Sequence, residues 1–339
     1  MRMTTPGSKR AVPTASSPGH LDVRLDRCYK GVPTMADEKT NLDKLIDSGE
    51  SVLVADMTPP GGSDVEAVRS CASRYAGRVH ALGVSDNRDG VRMSALAAAS
   101  VIAAQGVEPI LHLVTRDRNR IALASECLGA HALGVRNVLC TTGTHQTLGS
   151  CRGARNVFDI DSIQLLRMCS GLPSDGAILG AEALECVGSF CLGAVASPFA
   201  DPLEMQLIRL AKKVSCGAKF LITQPVFDLE RFETWWREVT RVGIHERVAI
   251  LAGIRPLLDA RSATVRAETA PSPMIPDAVL TRLASETGDS AQRAVGIEVA
   301  CETIERLSSL EGLRGFEIGC DGDDDAALEV IEKSGLGCS

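Results

Sequence analysis

Eight short apolar runs, each followed by a longer helix-like segment, recur from residue 52 to residue 334, and this alternation restricts the fold more than any single motif does. The runs lie at 52–55, 79–84, 109–114, 138–140, 190–195, 220–223, 248–252 and 315–318. Each has strand length and is rich in β-branched or large aliphatic residues, as parallel strands buried on both faces require. The helical patterns fall at 64–75, 91–105, 118–133, 160–169, 202–216, 229–241, 291–310 and 324–334. Asp201-Pro202 reads as a cap followed by proline in the first turn, Asp161 as a second cap, and Cys216-Gly217 as a helix stop at a residue that tolerates positive φ. Eight strand–helix units in strict order predict a (β/α)8 TIM barrel, a single α/β domain over residues 41–339. The rival is an open doubly wound sheet, weakened because no GxGxxG follows the first run.

Residues 1–40 are expected to stand outside that domain as a disordered extension. The first 34 carry Arg2, Lys9, Arg10, Arg24, Arg27 and Lys30 against Asp22 and Asp26, among scattered Ser, Thr and Pro. They hold no apolar h-region of a secretory signal. Met35-Ala36-Asp37-Glu38 is a second candidate start, which the mass of the native N-terminus decides.

With 36 Lys and Arg against 43 Asp and Glu, the chain has a net charge of −7 and no basic cluster in its body, which argues against nucleic acid as a partner. The apolar stretches are broken well before the ~18 residues a membrane span needs. Twelve cysteines are spaced irregularly and form no CxxC pair. Cys140 and Cys186 sit in or beside apolar runs, so reduced structural thiols in a cytoplasmic protein are expected, in preference to a disulfide frame or a zinc site.

A barrel places its chemistry in the loops after its strands, and these tips are polar. They read Asp56-Met57-Thr58-Pro59-Pro60, Ser85-Asp86-Asn87, Thr115-Arg116-Asp117, Thr141-Thr142-Gly143-Thr144-His145, Thr223-Gln224-Pro225 and Gly253-Ile254-Arg255-Pro256, with His112 inside the third run. Taken singly, Asp56 could cap a turn and His112 could be a hydrogen-bonded core residue. Gln224 is harder to dismiss, because an amide at the end of a buried strand needs partners, and a polar ligand supplies them. Six polar tips on six strands favour a shared pocket. No His/Cys/Asp cluster has metal spacing and no nucleophile elbow is present. A lone carboxylate, hydroxyls, an amide and cations suit a bound organic cofactor.

In these tips the chain resembles the methylenetetrahydrofolate reductases, flavin-dependent β/α barrels, over roughly residues 45–337. The likeness rests on Asp56–Pro60 (a carboxylic acid, two residues, then Pro-Pro), His112 in the third strand, Gly143, and Lys212-Lys213-Val214 with Gly217-Ala218. It continues through Ile222-Thr223-Gln224-Pro225-Val226-Phe227-Asp228 and Gly253-Ile254-Arg255-Pro256. Residues 143–162, with His145-Gln146 and Asn156 to Ser162, are similar to the branch found in anaerobic and corrinoid-linked one-carbon pathways.

The resemblance implies reduction of 5,10-methylenetetrahydrofolate to 5-methyltetrahydrofolate, in one-carbon and methionine metabolism, with FAD or FMN and NADH or NADPH as donor. It implies Asp56 as the general acid, Gln224 on the pterin, Thr144 beside the reacting centre and Arg255 on the substrate. The flavin would be lined by Ser85, Asp86, His112, Thr142, Gly143, Thr144, His145, Phe158, Asp159, Arg209 and Lys213, the last two one helical turn apart. Two departures stand out. The family's first-strand acid is Glu, so the Asp56 carboxyl is set back by ~1.3–1.5 Å, and Thr144 replaces an Asp that would stabilise a developing cation. A tetrahydrofolate derivative and a nicotinamide nucleotide are the expected ligands, and a homo-oligomer or a partner subunit the expected assembly. The alternative is a weakly catalytic or non-catalytic folate- or flavin-binding subunit of a methyltransferase or one-carbon complex.

Overall fold

The computed structural model describes residues 39–172, 188–269, 275–319 and 321–338. Residues 1–38 of the expected extension, with the Met35 start, and Cys186 lie outside the described residues, and Thr40, expected to be disordered, instead caps the first helix by accepting from Asp43 N. In chain order the elements are α1 (Asn41–Ser48), β1 (Val52–Met57), α2 (Val65–Tyr75), β2 (Ala81–Val84), α3 (Ala95–Ala104), β3 (Pro109–Val114), α4 (Arg120–Ala132) and β4 (Asn137–Thr141). A 3-10 turn at Gln146–Leu148 precedes α5 (Ser162–Gly171), β5 (Cys191–Ala196), α6 (Leu203–Ser215), β6 (Phe220–Pro225), α7 (Leu229–Arg241) and β7 (Ala249–Ile254). The chain continues through α8 (Ala260–Thr269), α9 (Asp277–Ala284), α10 (Asp289–Ser308), β8 (Gly315–Gly319) and α11 (Asp324–Lys333).

All eight strands are parallel and close in sequence order, β8 pairing with β1 through Val52↔Gly315 to Asp56↔Gly319. The barrel predicted from alternation is therefore the observed fold. Alternate residues face inward. Val52, Val54, Ile110, Leu139, Phe220, Ile222 and Leu251 fill the barrel, and their outward neighbours pack under the helices.

The helix ends follow local chemistry. Asp64 and Asp161 each accept from two backbone N–H groups of the first turn, and Gln164 closes a capping box with Asp161. Gly217 follows α6 at φ +103°. One expected cap is corrected: Pro202 itself holds the N-cap position of α6, and the Asp201 carboxylate instead accepts from Arg231 Nη2 at 2.7 Å. The helix expected from residue 91 begins at Ala95, because Asn87 Oδ1 accepts from Arg92 N and turns the preceding loop.

Two parts of the fold lie beyond the strand–helix pattern. Helix α1 places Leu42 among the inward-facing residues at the N-terminal end of the barrel. Glu108 accepts from Asn41 N, Leu42 N and Asn137 Nδ2, and Arg314 Nη2 donates to the carbonyls of Ile46 and Glu50. That end is thereby closed, leaving the opposite end for ligands. Between β7 and β8 three helices stand where one was expected. Most of α8 faces solvent, so it shows little apolar periodicity, and it packs through Ala263 against Phe227, Leu257, Ile275 and Leu283. Among the described residues no helix is long and apolar enough to cross a membrane, and all nine described cysteines are free thiols, with Cys140 buried as expected.

Candidate functional site

A cavity of about 240 Å³ lies at the C-terminal ends of the strands. Asp56 from β1, His112 from β3, Gln224 from β6, Arg255 at the end of β7 and Glu317 from β8 all line it, together with Ser85, Asp86, Gly143 and Thr144 from the tips of β2 and β4. The side chains expected to converge do so. Glycines at inward positions make the room. A Cβ at Gly83 would lie 3.0 Å from His112 Nε2 and 3.3 Å from Asp56 Oδ1, and one at Gly319 would overlap the Arg255 guanidinium. At β6 a register shift between Ile222 and Pro225 accompanies a Thr223 hydroxyl that accepts from Gly253 N and donates to the Gln224 carbonyl, setting Gln224 at the rim.

The electrostatics centre on Arg255. Its Nη2 donates to Asp56 Oδ2 at 3.0 Å and lies 3.5 Å from Glu317 Oε1, while Nη1 lies 3.3 Å from Asp321 Oδ1. Arg88 approaches from the β2 loop, 3.2 Å from Asp56 Oδ2 and 3.3 Å from Asp321 Oδ1. Burial works to raise the Asp321 carboxyl, but Arg255, Arg88 and Arg266 hold it below the usual range. Glu317 goes the other way. Burial, helped by the Asp56 and Asp321 charges, outweighs Arg255 and Arg88 and pushes it up to about 7. Burial also depresses His112, whose Nε2, like Arg255 Nε, is enclosed without a hydrogen-bond partner. Asp86 is raised by burial although Arg118 Nη2 donates to both its oxygens (2.6 and 2.7 Å) and Val114 N adds a third contact.

The remaining expected residues separate into two groups. Ser85 Oγ donates to Thr58 Oγ1 at 3.3 Å on the cavity wall. Thr144 lines the central cavity, and its carbonyl accepts from Arg116 Nη1. Thr142, Phe158 and Arg209 face a neighbouring cleft of about 570 Å³ beside Met205 and Ile208, where the Thr142 hydroxyl accepts from Ser162 N.

Four of the expected residues have a local structural role. Gly143 was read as allowing close backbone approach to a ligand. Its φ of +83° and the Val114 side chain, 2.5 Å from where a Cβ would stand, account for it without one. His145 caps the 3-10 turn, with Nδ1 2.8 Å from the Thr147 hydroxyl, and faces a separate loop cavity. Asp159 is engaged bidentately by Arg120, which holds its carboxyl down at about 2. Lys213 shares a helix face with Arg209 but lines neither cavity. It is buried, donates to the Val195 carbonyl at 2.5 Å, and is lowered to about 8 by burial and by Arg209.

Sequence reasoning passed over Glu317, Arg88 and Asp321. Glu317 could have been found by the signal that singled out His112, a titratable residue inside an apolar strand run. Arg88 and Asp321 sit in loops and carried no such mark.

These residues fit a flavin in two parts. His112 and Arg255 line the central cavity, and in the neighbouring cleft Arg209 and Lys212 offer cations that suit phosphate. Outside lies a wider mouth of about 920 Å³ bordered by Arg88, Arg92, Arg261 and Arg266 and by Asp89, Asp259 and Asp321. Among the described residues no group of three or more His, Cys, Asp and Glu could hold a metal.

Comparison with known proteins agrees with this arrangement. The profile of the methylenetetrahydrofolate reductase family matches residues 41–335. A probable methylenetetrahydrofolate reductase (NADPH) of Caenorhabditis elegans is 25% identical over 311 residues, covering 91% of this chain and 41% of the relative. Methylenetetrahydrofolate reductase 1 of Schizosaccharomyces pombe is 25% identical over 240 residues, covering 68% and 36%. The chain thus spans about two-fifths of the length of the curated relatives it matches. Among solved structures, an uncharacterized Clostridium thermocellum protein that binds two copies of 5-methyl-5,6,7,8-tetrahydrofolic acid shares the fold. Its TM-score is 0.59 at 14% identity, covering 86% of this chain and 98% of that one.

Proposed function

From a chain that belongs to the methylenetetrahydrofolate reductase family, we propose an oxidoreductase that converts 5,10-methylenetetrahydrofolate to 5-methyltetrahydrofolate, using FAD and a nicotinamide nucleotide. The observation that carries this reading is one cavity at the strand ends shared by an amide, Gln224, and the ionisable groups Asp56, His112 and Glu317. The folate-binding structural neighbour supports it.

Bound flavin would supply hydride to the one-carbon unit. The residues of this chain bind, orient and manage a proton. Gln224 offers both a donor and an acceptor to the pterin edge. His112, kept neutral by burial, forms part of the cavity wall. Ring opening in the substrate needs a proton at N10 and leaves an iminium cation. The buried carboxyls of Asp56 and Glu317 are placed to serve both needs. Arg209 and Lys212, which line the neighbouring cleft, would hold the cofactor's phosphates.

The purified protein is expected to be yellow, bleached by NADH or NADPH, and recoloured by methylenetetrahydrofolate. Asp56→Asn should slow the recolouring at least about a hundredfold while sparing the bleaching. An Asn variant that recolours at the normal rate removes Asp56 from the folate step.

Lys213→Met is expected to release flavin about tenfold more readily, indirectly, because loss of its bond to the Val195 carbonyl loosens the end of β5, where Val195 lines the cavity. Its effect on the ligand-free fold has a definite sign. The folded pKa of Lys213, about 8, lies below the ordinary 10.5, so the unfolded chain binds more protons between those values. Wild-type stability therefore rises from pH 8 toward 10.5, and denaturant unfolding of the Met variant should lack this rise. Unchanged flavin retention would make Lys213 a packing residue.

One observation favours a second reading, a folate-binding subunit with little turnover. Arg88, Arg116 and Arg255 all border the cavity in which a cation would have to form. Folate binding without any recolouring of reduced flavin is the result that selects it.

A further inference from the structure

Three carboxyl groups line the central cavity, Asp56, Asp86 and Glu317. Two are already committed. Asp86 accepts two contacts from Arg118 and one from a backbone N–H. Asp56 Oδ2 takes a guanidinium contact from each of two arginines, at 3.0 and 3.2 Å. Glu317 has only the longer 3.5 Å approach of Arg255 Nη2.

The pattern of ion pairs gives the same answer. Arg88 and Arg255 are the two cations inside the cluster, and Asp56 and Asp321 each contact both of them. Arg266 reaches Asp321 from the exposed side. With Arg266 three cations stand against three carboxyls, so what sets Glu317 apart is its burial and its one longer contact, and a buried carboxyl so weakly matched avoids an uncompensated charge by keeping its proton.

We propose that Glu317, supplied by β8, is the general acid of this site, with Asp56 acting as the counter-ion that holds Arg88 and Arg255 in place. The assignment rests on the folate reading above. The proton passes from the Glu317 carboxyl to N10 of the substrate. The bond between N10 and the one-carbon unit breaks with its electron pair going to N10, and N5 becomes the iminium nitrogen. The Glu317 carboxylate left behind is met by Arg255 Nη2, so the transfer leaves no isolated buried charge. In the strand register Glu317 pairs with Val54, two residues before Asp56 along β1. The acid thus approaches from the β8 side of the seam, and the position set back by the shorter Asp56 side chain need not be refilled from β1.

The groups that face Glu317 and enter its titration are Asp56 from β1, Arg88 from the β2 loop, Arg255 from β7 and Asp321 after β8, with His112 across the cavity. The test uses the full-length protein. Infrared difference spectra of the ligand-free protein are expected to show a protonated buried carboxyl that titrates near neutrality. The band should be absent in Glu317→Gln, and in Asp56→Asn it should titrate at lower pH, because one neighbouring negative charge is gone. In flavin-loaded protein, recolouring by methylenetetrahydrofolate should fall with rising pH above about 7. Glu317→Gln should slow it by about 10²–10⁴-fold without loss of 5-methyltetrahydrofolate binding, and Glu317→Asp should restore part of the rate. A Gln variant with the wild-type rate and pH profile overturns the Glu317 assignment and leaves the folate reading intact. A band that survives in Glu317→Gln also overturns it. A wild-type protein that binds folate but never recolours overturns both.

Discussion

Arg255→Met is expected to cost about 3–5 kcal/mol of stability at pH 8 and distinctly less at pH 5.5, because it strips one partner from a buried ion network. Arg255 is 8% exposed, and the carboxylates it joins, Asp56 and Glu317, are 4% and 5% exposed, so water cannot replace the guanidinium. In the variant, Asp56, Glu317 and Asp321 would share Arg88, with Arg266 reaching only Asp321. Glu317 already titrates at about 7, above its ordinary 4.5, and loses the cation that restrains it.

The sign of the pH dependence follows. Between the unfolded and folded pKa values the folded state holds the extra proton, so stability falls as pH rises through that window. The window widens in the variant. Urea unfolding at the two pH values measures both quantities. A loss below about 1 kcal/mol, equal at both, would mean that the network is solvated and that the charge balance described for it is wrong.

Gly315→Ala is expected to cost about 4 kcal/mol, through two effects at one residue. Gly315 sits at φ +128°, where a side chain is strained by about 1–3 kcal/mol. A Cβ there would also overlap the carbonyl of Val52, its register partner across the closing seam of the barrel. Relief would require β8 to draw away from β1, and overpacking of that kind typically costs about 1–3 kcal/mol more. The seam carries Glu317 two residues further on, so the variant should also lose the near-neutral carboxyl titration. Thermal or urea unfolding tests the first effect and infrared titration the second. An Ala variant of wild-type stability would show that the β1–β8 pairing is looser than the register implies.

The site was partly legible in advance. His112, Gln224 and Asp56 could be chosen because each is a polar group at or near the end of a run that otherwise belongs in a core. Glu317 meets the same criterion within Gly315-Phe316-Glu317-Ile318-Gly319. His145 and Asp159 were chosen by resemblance, and neither lines the central cavity. A local cap and an arginine clamp satisfy them, and motif spacing does not register either. Helix α1 escaped notice because its 8 residues bury little more than Leu42, which matters only once there is a barrel end to close.

Alternation of apolar runs and amphipathic segments, with caps at their ends, determined the barrel from the sequence alone, because strand burial, helix starts and helix stops are properties of neighbouring residues. Membership in the reductase family was legible for the same reason, through short motifs in order. Which carboxyl would be matched by guanidinium groups and which left to keep its proton was decided only by the tertiary structure. Closing β8 onto β1 brings Arg255 to Asp56 from 199 positions away and sets Glu317 beside both. Coulomb energy and desolvation depend on distances and burial through space, and spacing along the chain carries neither.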